Sequence, residues 1–231
     1  GWKNKDGYRR FRRSYLSMAR QNGKTFFNGI VGTYISLFGG YKHGKLFTVA
    51  TKKRQARLAW EEISKFISVD EELGELFTVR EWKSVIECDY TDSTIEALSK
   101  EAGLDEGFRS IFSSVDELHQ HRDNSIYKAI YNGTRSLKET LVSMISTRGG
   151  NINSFAKEMD DYAVNILKGG AIAEDFFVDI YALDESDDAW DEKNWIKANP
   201  ILATHDHGLN ILRTDAQTAQ VIGGYDMRYF L

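Results

Sequence analysis

The chain has 231 residues, of which 42% are hydrophobic and 28% charged, as in an ordinary globular protein with one large domain. Its formal net charge of −4 excludes an overall basic surface for nucleic acid, and its one cysteine, Cys88, excludes an internal disulfide and favours a reducing compartment. No apolar run approaches the ~18 residues of a transmembrane helix and no signal peptide is visible, while a start at Gly1 without Met is typical of a fragment.

The first predicted element lies in a strongly basic segment. Residues 1–24 contain eight Lys and Arg residues and one Asp, and alternating basic and apolar residues over 8–19 predict a strand that enters the core. The basic side chains could meet DNA or a nucleotide, or they could be the solvent-facing residues of that strand. The opposite bias occurs at 174–192, where nine residues are acidic and none is basic.

Helical and extended patterns alternate along the rest of the chain. In the first half, apolar spacing predicts helices over 24–38 and 52–68, a strand over 46–50 and an antiparallel hairpin over 76–88. In the second half it predicts strands over 111–115, 140–146 and 176–183, and helices over 124–132, 154–167 and 191–198. Pro200 ends the last helix, and the weaker pattern after it predicts a linker or lid. This alternation predicts an α/β fold with a mainly parallel sheet flanked by helices on both faces.

Residues 17–25, SMARQNGKT, end like a phosphate-binding loop. The usual pattern is G-x-x-x-x-G-K-S/T, in which main-chain N–H groups and the lysine bind phosphates and the hydroxyl binds Mg²⁺. Gly23, Lys24 and Thr25 match its end, but Met18 stands where the first glycine belongs and Arg20 lies within the loop. The alternative is an ordinary helix start with an exposed lysine.

A second motif, IFSSVDELH at 111–119, has the form of a Walker B strand. Asp116 would hold Mg²⁺ and Glu117 would orient and activate the attacking water. Two carboxylates at the carboxyl end of a strand lie where ligands bind in open α/β sheets. Ser113 and Ser114 weaken the apolar run that normally precedes the Asp, and the alternative is a strand followed by an acidic helix start.

A third motif, SMISTRGG at 143–150, is a strand that ends in Ser146 and Thr147 before a glycine-rich turn. Such a strand end can sense the γ-phosphate in motor ATPases, although a plain strand end is the alternative. Two groups contain possible metal ligands, one of His119, His121 and Asp123 and one at 205–207. Neither spacing demands tetrahedral zinc, so His119 is expected to pack beside the catalytic strand.

With these motifs in this order, the chain resembles the large terminase subunit of tailed double-stranded DNA phages. An arginine-bearing loop without the first glycine is common in that family. The segments that carry the resemblance are ARQNGKT at 19–25, TVATKKRQA at 48–56, STIEALS at 93–99, VDELHQH at 115–121, ISTRGG at 145–150 and WIKANP at 195–200.

The resemblance implies a P-loop NTPase fold of the ASCE type and an ATPase motor that uses ATP and Mg²⁺. Matched by position, the residues expected at the nucleotide are Arg20, Gln21, Asn22, Gly23, Lys24 and Thr25. Thr25 and Asp116 are expected to bind Mg²⁺, and Glu117 to act in catalysis with Arg20 and Lys24. Ser146 and Thr147 are expected to couple hydrolysis to movement. A ring neighbour could supply a trans-acting arginine, for which Arg109 is the candidate and Arg122 the rival.

The resemblance also implies partners and a domain plan. The partners are double-stranded DNA, the portal protein, the small terminase subunit and further copies in a pentameric ring, in the host cytoplasm and away from membranes. The ATPase domain is expected at 1–200, with the adenine-binding glutamine motif before Gly1, and a linker or lid at 201–231 leading to a nuclease domain after Leu231. Two alternatives stay open from the residues alone: a DExH-type helicase motor domain and a nucleotide-binding module without hydrolysis.

Overall fold

The computed structural model describes residues 2–99, 109–148 and 154–223. Within these residues the strands and helices, in chain order, are β1 (Arg13–Ser17), α1 (Lys24–Phe38), β2 (Lys45–Ala50), α2 (Lys53–Val69), α3 (Glu71–Leu76), β3 (Phe77–Arg80), β4 (Val85–Cys88), β5 (Ser93–Ser99), β6 (Phe112–Val115), α4 (Ser125–Gly133), β7 (Leu141–Ser146), α5 (Phe155–Leu167), β8 (Phe176–Ile180), α6 (Trp195–Ala198) and α7 (Asp206–Ile222).

The described strands form one eight-stranded sheet in the order β3-β4-β5-β2-β6-β7-β1-β8. The six strands from β5 to β8 in this order are parallel, whereas β3 and β4 form an antiparallel hairpin at one edge. β6 and β7 are buried at every residue, as expected for parallel strands covered on both faces. The predicted α/β fold with a mainly parallel sheet is therefore confirmed.

Alternate strand residues build a core on each face of the sheet. On one face, Leu46 and Phe112 pack with the apolar sides of α1 and α2, which include Ile35 and Trp60. On the other face, residues such as Val49, Val115 and Met144 pack against α4 and α5. A Cβ atom on Gly32 of α1 would lie 3.0 Å from the Phe112 ring, so this glycine lets α1 approach the sheet closely. The result is a three-layer α/β/α arrangement.

Polar residues in β6 have partners that the sequence pattern did not reveal. Asn28 of α1 donates to Ser114 Oγ at 2.8 Å and accepts from Ser143 Oγ at 2.8 Å, and Ser143 in turn accepts from Ser14 at 2.8 Å. Ser113, on the opposite face, donates to Ser110 at 2.8 Å. Ser113 and Ser114, which weaken the apolar run of β6, therefore each belong to a hydrogen-bonded group. The group that contains Ser114 connects α1 to three strands.

The basic amino-terminal run is bound into the fold at the amino end of β1. Arg12 donates to the carbonyl oxygens of Thr134 and Leu137, and Arg13 pairs with Asp175 at 2.7 Å. β1 begins at Arg13 and is therefore shorter than the predicted strand over 8–19. Arg12 and Arg13 lie at the end of β1 that is opposite the phosphate loop. A nucleotide bound at that loop is therefore not the partner of these two arginines.

The predicted helices over 24–38 and 154–167 are confirmed, and Ser154 caps α5 by accepting from the Lys157 main-chain N–H. The predicted hairpin over 76–88 forms β3 and β4. Within 191–198, a 3₁₀ turn at Glu192–Asn194 leads into the short α6. Pro200 is followed by a 3₁₀ turn at Leu202–Thr204 and by the 17-residue helix α7, in the segment that the sequence predicts as linker or lid. Among the described residues, no helix combines the length and the apolar character needed to cross a membrane.

Candidate nucleotide-binding site

The phosphate loop joins the carboxyl end of β1 to the amino end of α1. Gly23 lies just before the helix with a φ of 76°, a left-handed conformation that favours glycine. Met18, at the position of the usual first glycine, has no positive φ, and its N–H donates to Ser146 O of β7 at 3.3 Å. Gln21 instead adopts a φ of 58°. The loop therefore makes its turn without the first glycine.

Lys24 is held over the loop by its own main chain. Its Nζ atom donates to Met18 O at 3.0 Å and to Ala19 O at 2.9 Å, and the residue is 6% exposed. Burial lowers the pKa of Lys24, while the Glu117 and Asp116 carboxylates oppose this shift. A buried ammonium group that bonds only neutral carbonyl oxygens is suited to exchange them for a more negative ligand.

The side chains of Thr25 and Asp116 bring their oxygen atoms together beside the lysine. Thr25 Oγ1 donates to Asp116 Oδ2 at 3.0 Å, and Asp116 Oδ1 accepts from the Glu117 N–H at 2.7 Å. Asp116 is 7% exposed, and its pKa is raised first by burial and then by repulsion from Glu117. A hydroxyl and a carboxylate that repels its neighbour are donors that fit Mg²⁺, whose charge would relieve the repulsion.

The side chains of Glu117 and Thr147 both lie close to His119, whose role the sequence did not reveal. Glu117 has a φ of 49°, which is a strained conformation, and its Oε2 lies 3.1 Å from His119 Nδ1. Thr147 Oγ1 lies 3.4 Å from the same nitrogen. Burial and the nearby Arg20 and Lys24 lower the pKa of His119, which favours a neutral ring at neutral pH. Glu117 Oε2 is buried and accepts no hydrogen bond within the described residues, so a hydrogen on the nearby Nδ1 would give it a partner, and His119 lies between the predicted catalytic base and the predicted coupling motif.

The coupling motif borders a cavity of about 290 Å³ between β7 and α5. Its lining includes His119, Thr147 and Asp160. Asp160 accepts from the Tyr15 hydroxyl at 3.2 Å and pairs with Arg148 Nε at 3.2 Å. The end of β7 therefore contacts both His119, in the turn that follows Glu117, and Asp160 of α5.

The remaining residues predicted for the site differ in their exposure and in their place on the sheet. Arg20 and Gln21 are exposed, and the positive charge of Arg20 acts on both Lys24 and His119. Asn22 is 2% exposed, and its side chain bonds other protein groups, so its predicted nucleotide contact would use its main-chain N–H. Arg109 is exposed before the amino end of β6, whereas Arg122 is exposed at the same sheet edge as the site.

Comparisons with known proteins point to one family. The family model described as "Terminase large subunit, ATPase domain" matches residues 1–165. Protein YmfN of Escherichia coli is 31% identical over 86 residues, which are 37% of this chain and 19% of YmfN.

Solved structures give the same fold. The large terminase of bacteriophage HK97 aligns with a TM-score of 0.77 at 21% identity, over 91% of this chain and 43% of that chain. The large terminase ATPase domain of Thermus phage P74-26 aligns with a TM-score of 0.60 at 14% identity, over 96% of this chain and 87% of that chain. The chain thus spans less than half the length of YmfN and of the HK97 terminase.

Proposed function

Since the chain belongs to the family of terminase large-subunit ATPase domains, we propose that it hydrolyses ATP and that this hydrolysis drives viral double-stranded DNA into a procapsid. The observation that carries the proposal is the meeting of Lys24, the Thr25–Asp116 pair and Glu117 at one edge of the sheet. This edge lies at the carboxyl ends of parallel strands, where α/β proteins bind nucleotides.

The chain's own groups divide the work of phosphoryl transfer. Thr25 and Asp116 would hold Mg²⁺, which when bound neutralises phosphate charge. Lys24 would leave the carbonyl oxygens of Met18 and Ala19 for phosphate oxygens, and the main-chain N–H groups of the loop would bind the remaining ones. Glu117 would orient the attacking water and accept its proton, while Arg20 stabilises developing charge.

The proposed partners follow from membership of the family. They are double-stranded DNA, the portal protein and the small terminase subunit, and copies of the chain would work as a ring in the host cytoplasm. Ser146 and Thr147 would pass the state of the phosphate to the rest of the motor, and a segment that includes α7 would connect the ATPase domain to a nuclease domain.

Replacement of Glu117 by Gln separates binding from hydrolysis. The amide keeps the size of the side chain but cannot accept a proton, so we expect ATP hydrolysis to fall by about 100-fold or more. Binding of a fluorescent ATP analogue, measured in the same samples, should be retained. Glu75→Gln is the matched control, because Glu75 is an exposed residue of α3. Hydrolysis near the wild-type rate in Glu117→Gln would refute the assigned base, and wild-type protein that binds ATP without hydrolysing it would indicate a binding module.

A further inference from the structure

The side chain of Asn22 lies inside the protein although its residue belongs to the phosphate loop. Its Nδ2 donates to Arg20 O at 2.9 Å and to Asn199 Oδ1 at 3.0 Å. Its Oδ1 accepts the main-chain N–H groups of Ile201 at 2.9 Å and of Leu202 at 3.1 Å. The amide nitrogen therefore bonds both the loop and Asn199, and the amide oxygen bonds the turn that follows Pro200.

Two further contacts join the same two segments. The Ala19 N–H donates to Ala198 O at 3.3 Å, at the end of α6. A Cβ atom on Gly23 would lie 3.2 Å from Ile201 Cδ1, so the loop and the turn are in close packing. Asn22 is thus the polar centre of an interface between the loop at 19–23 and the turn at 198–202.

The turn also belongs to the small core that supports α7. Leu202 and Ala203 pack against Trp195, Leu212 and Ala216. Leu202 therefore donates its main-chain N–H to Asn22 of the phosphate loop and packs its side chain against α7. A shift of Asn22 relative to the turn would be passed through Leu202 to a 17-residue helix.

We propose that Asn22 is a positioning residue that fixes the turn at 199–202 to the phosphate loop, so that the state of the loop sets the position of α7. The nucleotide-dependent half of this proposal rests on the proposed function, whereas the contact itself does not. A phosphate that draws Lys24 away from the carbonyl oxygens of Met18 and Ala19 would change the loop that Asn22 spans. The amide would carry this change to the turn.

The contact is tested without nucleotide by hydrogen exchange in the 231-residue chain. In Asn22→Ala, the amides of Ile201 and Leu202 lose their acceptor, and we expect their exchange to rise on the order of 10-fold. Asn210→Ala is the matched control, because Asn210 is exposed on α7. Unchanged exchange at these two amides in Asn22→Ala would overturn the proposal.

A second variant covers the case in which Asn22→Ala does not fold. Asn199→Ala removes the acceptor opposite Asn22 Nδ2 and leaves the phosphate loop intact. We expect faster exchange at the same two amides, by a smaller factor of about 3-fold, since the bonds to Asn22 Oδ1 persist. Exchange as slow as in the wild-type chain would count against the proposal.

The coupling is tested with AMP-PNP and Mg²⁺ as the probe. In the wild-type chain, the probe should change the exchange of α7 amides, and in Asn22→Ala, at a probe concentration that saturates the affinity measured for that variant, it should leave these amides unchanged. If the wild-type chain binds the probe and α7 does not respond, or if the response survives in Asn22→Ala, the coupling is refuted. If the wild-type chain does not bind the probe, the proposed function fails, and the nucleotide-free experiment decides the contact separately.

Discussion

Asp116 and Glu117 are adjacent in sequence, but their different neighbours suit them to different tasks. Asp116 is bonded to the Thr25 hydroxyl and to the main chain, so both of its oxygens are fixed in a nearly dry place. Glu117 is more exposed, and one of its oxygens faces His119. A fixed, buried carboxylate suits metal binding, and a carboxylate that is only partly buried suits the handling of water.

Substitution at His119 tests whether its Nδ1 atom holds the catalytic base. The side-chain amide nitrogen of Asn occupies a position equivalent to Nδ1, whereas that of Gln corresponds to Nε2. We expect His119→Asn to retain most ATP hydrolysis and His119→Gln to lose about 10-fold, a usual effect of removing a group that orients another. Nitrogen NMR of the wild-type ring should show the hydrogen on Nδ1. His207→Gln, at an exposed position of α7, is the control. Equal rates for the Asn and Gln variants would remove His119 from this role.

Burial of Asp116 makes a prediction for stability and its pH dependence. Because the folded state raises the pKa of Asp116 above 3.8, its ionisation opposes folding, and this cost grows as the pH rises. In the absence of nucleotide and Mg²⁺, Asp116→Asn should therefore raise the melting temperature at neutral pH by about 2–4 °C, which corresponds to about 1 kcal/mol.

The gain should shrink toward zero as the pH falls through the raised pKa of the folded-state Asp116 toward the ordinary pKa of an aspartate, because the wild-type carboxyl group then takes up its proton. Thermal unfolding at a series of pH values measures this, with Asp215→Asn on the exposed side of α7 as the control. A variant that is less stable than wild type at neutral pH would show that the hydrogen bonds of Asp116 outweigh its desolvation.

At the scale of elements, the hydrogen-bonded polar row of Asn28, Ser114 and Ser143 under α1 sets the position of this helix on the sheet. Asn28 follows Lys24 by four residues, so both lie on the same side of α1, one at the loop and one over β6 and β7. Asn28→Ala would leave the buried hydroxyl groups of Ser114 and Ser143 without this amide, and we expect the free energy of unfolding to fall by about 2 kcal/mol.

Chemical denaturation measures this loss against Asn132→Ala, which removes the same side chain from an exposed position of α4. A loss in Asn28→Ala no larger than that of the control would show that the row adds nothing to stability. A fall in nucleotide affinity that exceeds the loss of stability would show that Asn28 also sets the position of Lys24.

The elements that could be predicted are those whose signal is local. Apolar periodicity and the Ser154 cap depend on residues that are close in sequence, and they predict the bounds of α1 and the start of α5. α7 is not predicted from the sequence, because its buried residues Leu212, Ala216 and Ala219 include only one large apolar side chain. Leu212 and Ala216 form a core only with Trp195, which lies outside this helix. Ser114 looks like a weak strand residue in the sequence, because its partner Asn28 lies 86 residues away along the chain.

At the scale of the whole molecule, strand order brings the site together. β7 lies between β6 and β1, so Ser146 and Thr147 end between the carboxylates and the phosphate loop. The three motifs are separate segments of the sequence, and the register that brings them together rests on pairings such as Ser17 with Ser146. The part played by His119, and the inward direction of Asn22, depend on these long-range pairings and could not be obtained from the motifs alone.

The same geometry bears on which arginine could act on a neighbouring subunit. A residue that serves another subunit must be exposed and out of reach of its own phosphates. Arg109 meets both conditions, because the length of β6, about 13 Å, separates it from the edge where Asp116 lies. Arg122 is exposed at its own site's edge, so it is the weaker candidate. Within a ring, an arginine supplied in trans contributes about 10³–10⁵ in rate, so Arg109→Ala should reduce assembled activity by at least about 10³.

Mixing two inactive variants tests this directly. Lys24→Ala subunits lack a working loop but keep Arg109, whereas Arg109→Ala subunits keep the loop and lack the arginine. Some junctions in a mixed ring would join an intact loop to an intact arginine, so we expect ATPase activity to reappear on mixing, with light scattering confirming assembly. The same mixture made with Arg122→Ala in place of Arg109→Ala provides the comparison. If Arg122 acts on its own site, no subunit in that mixture has both an intact loop and an intact Arg122, so activity does not return. If mixed rings form and Arg109→Ala recovers no activity, Arg109 is not the trans-acting residue.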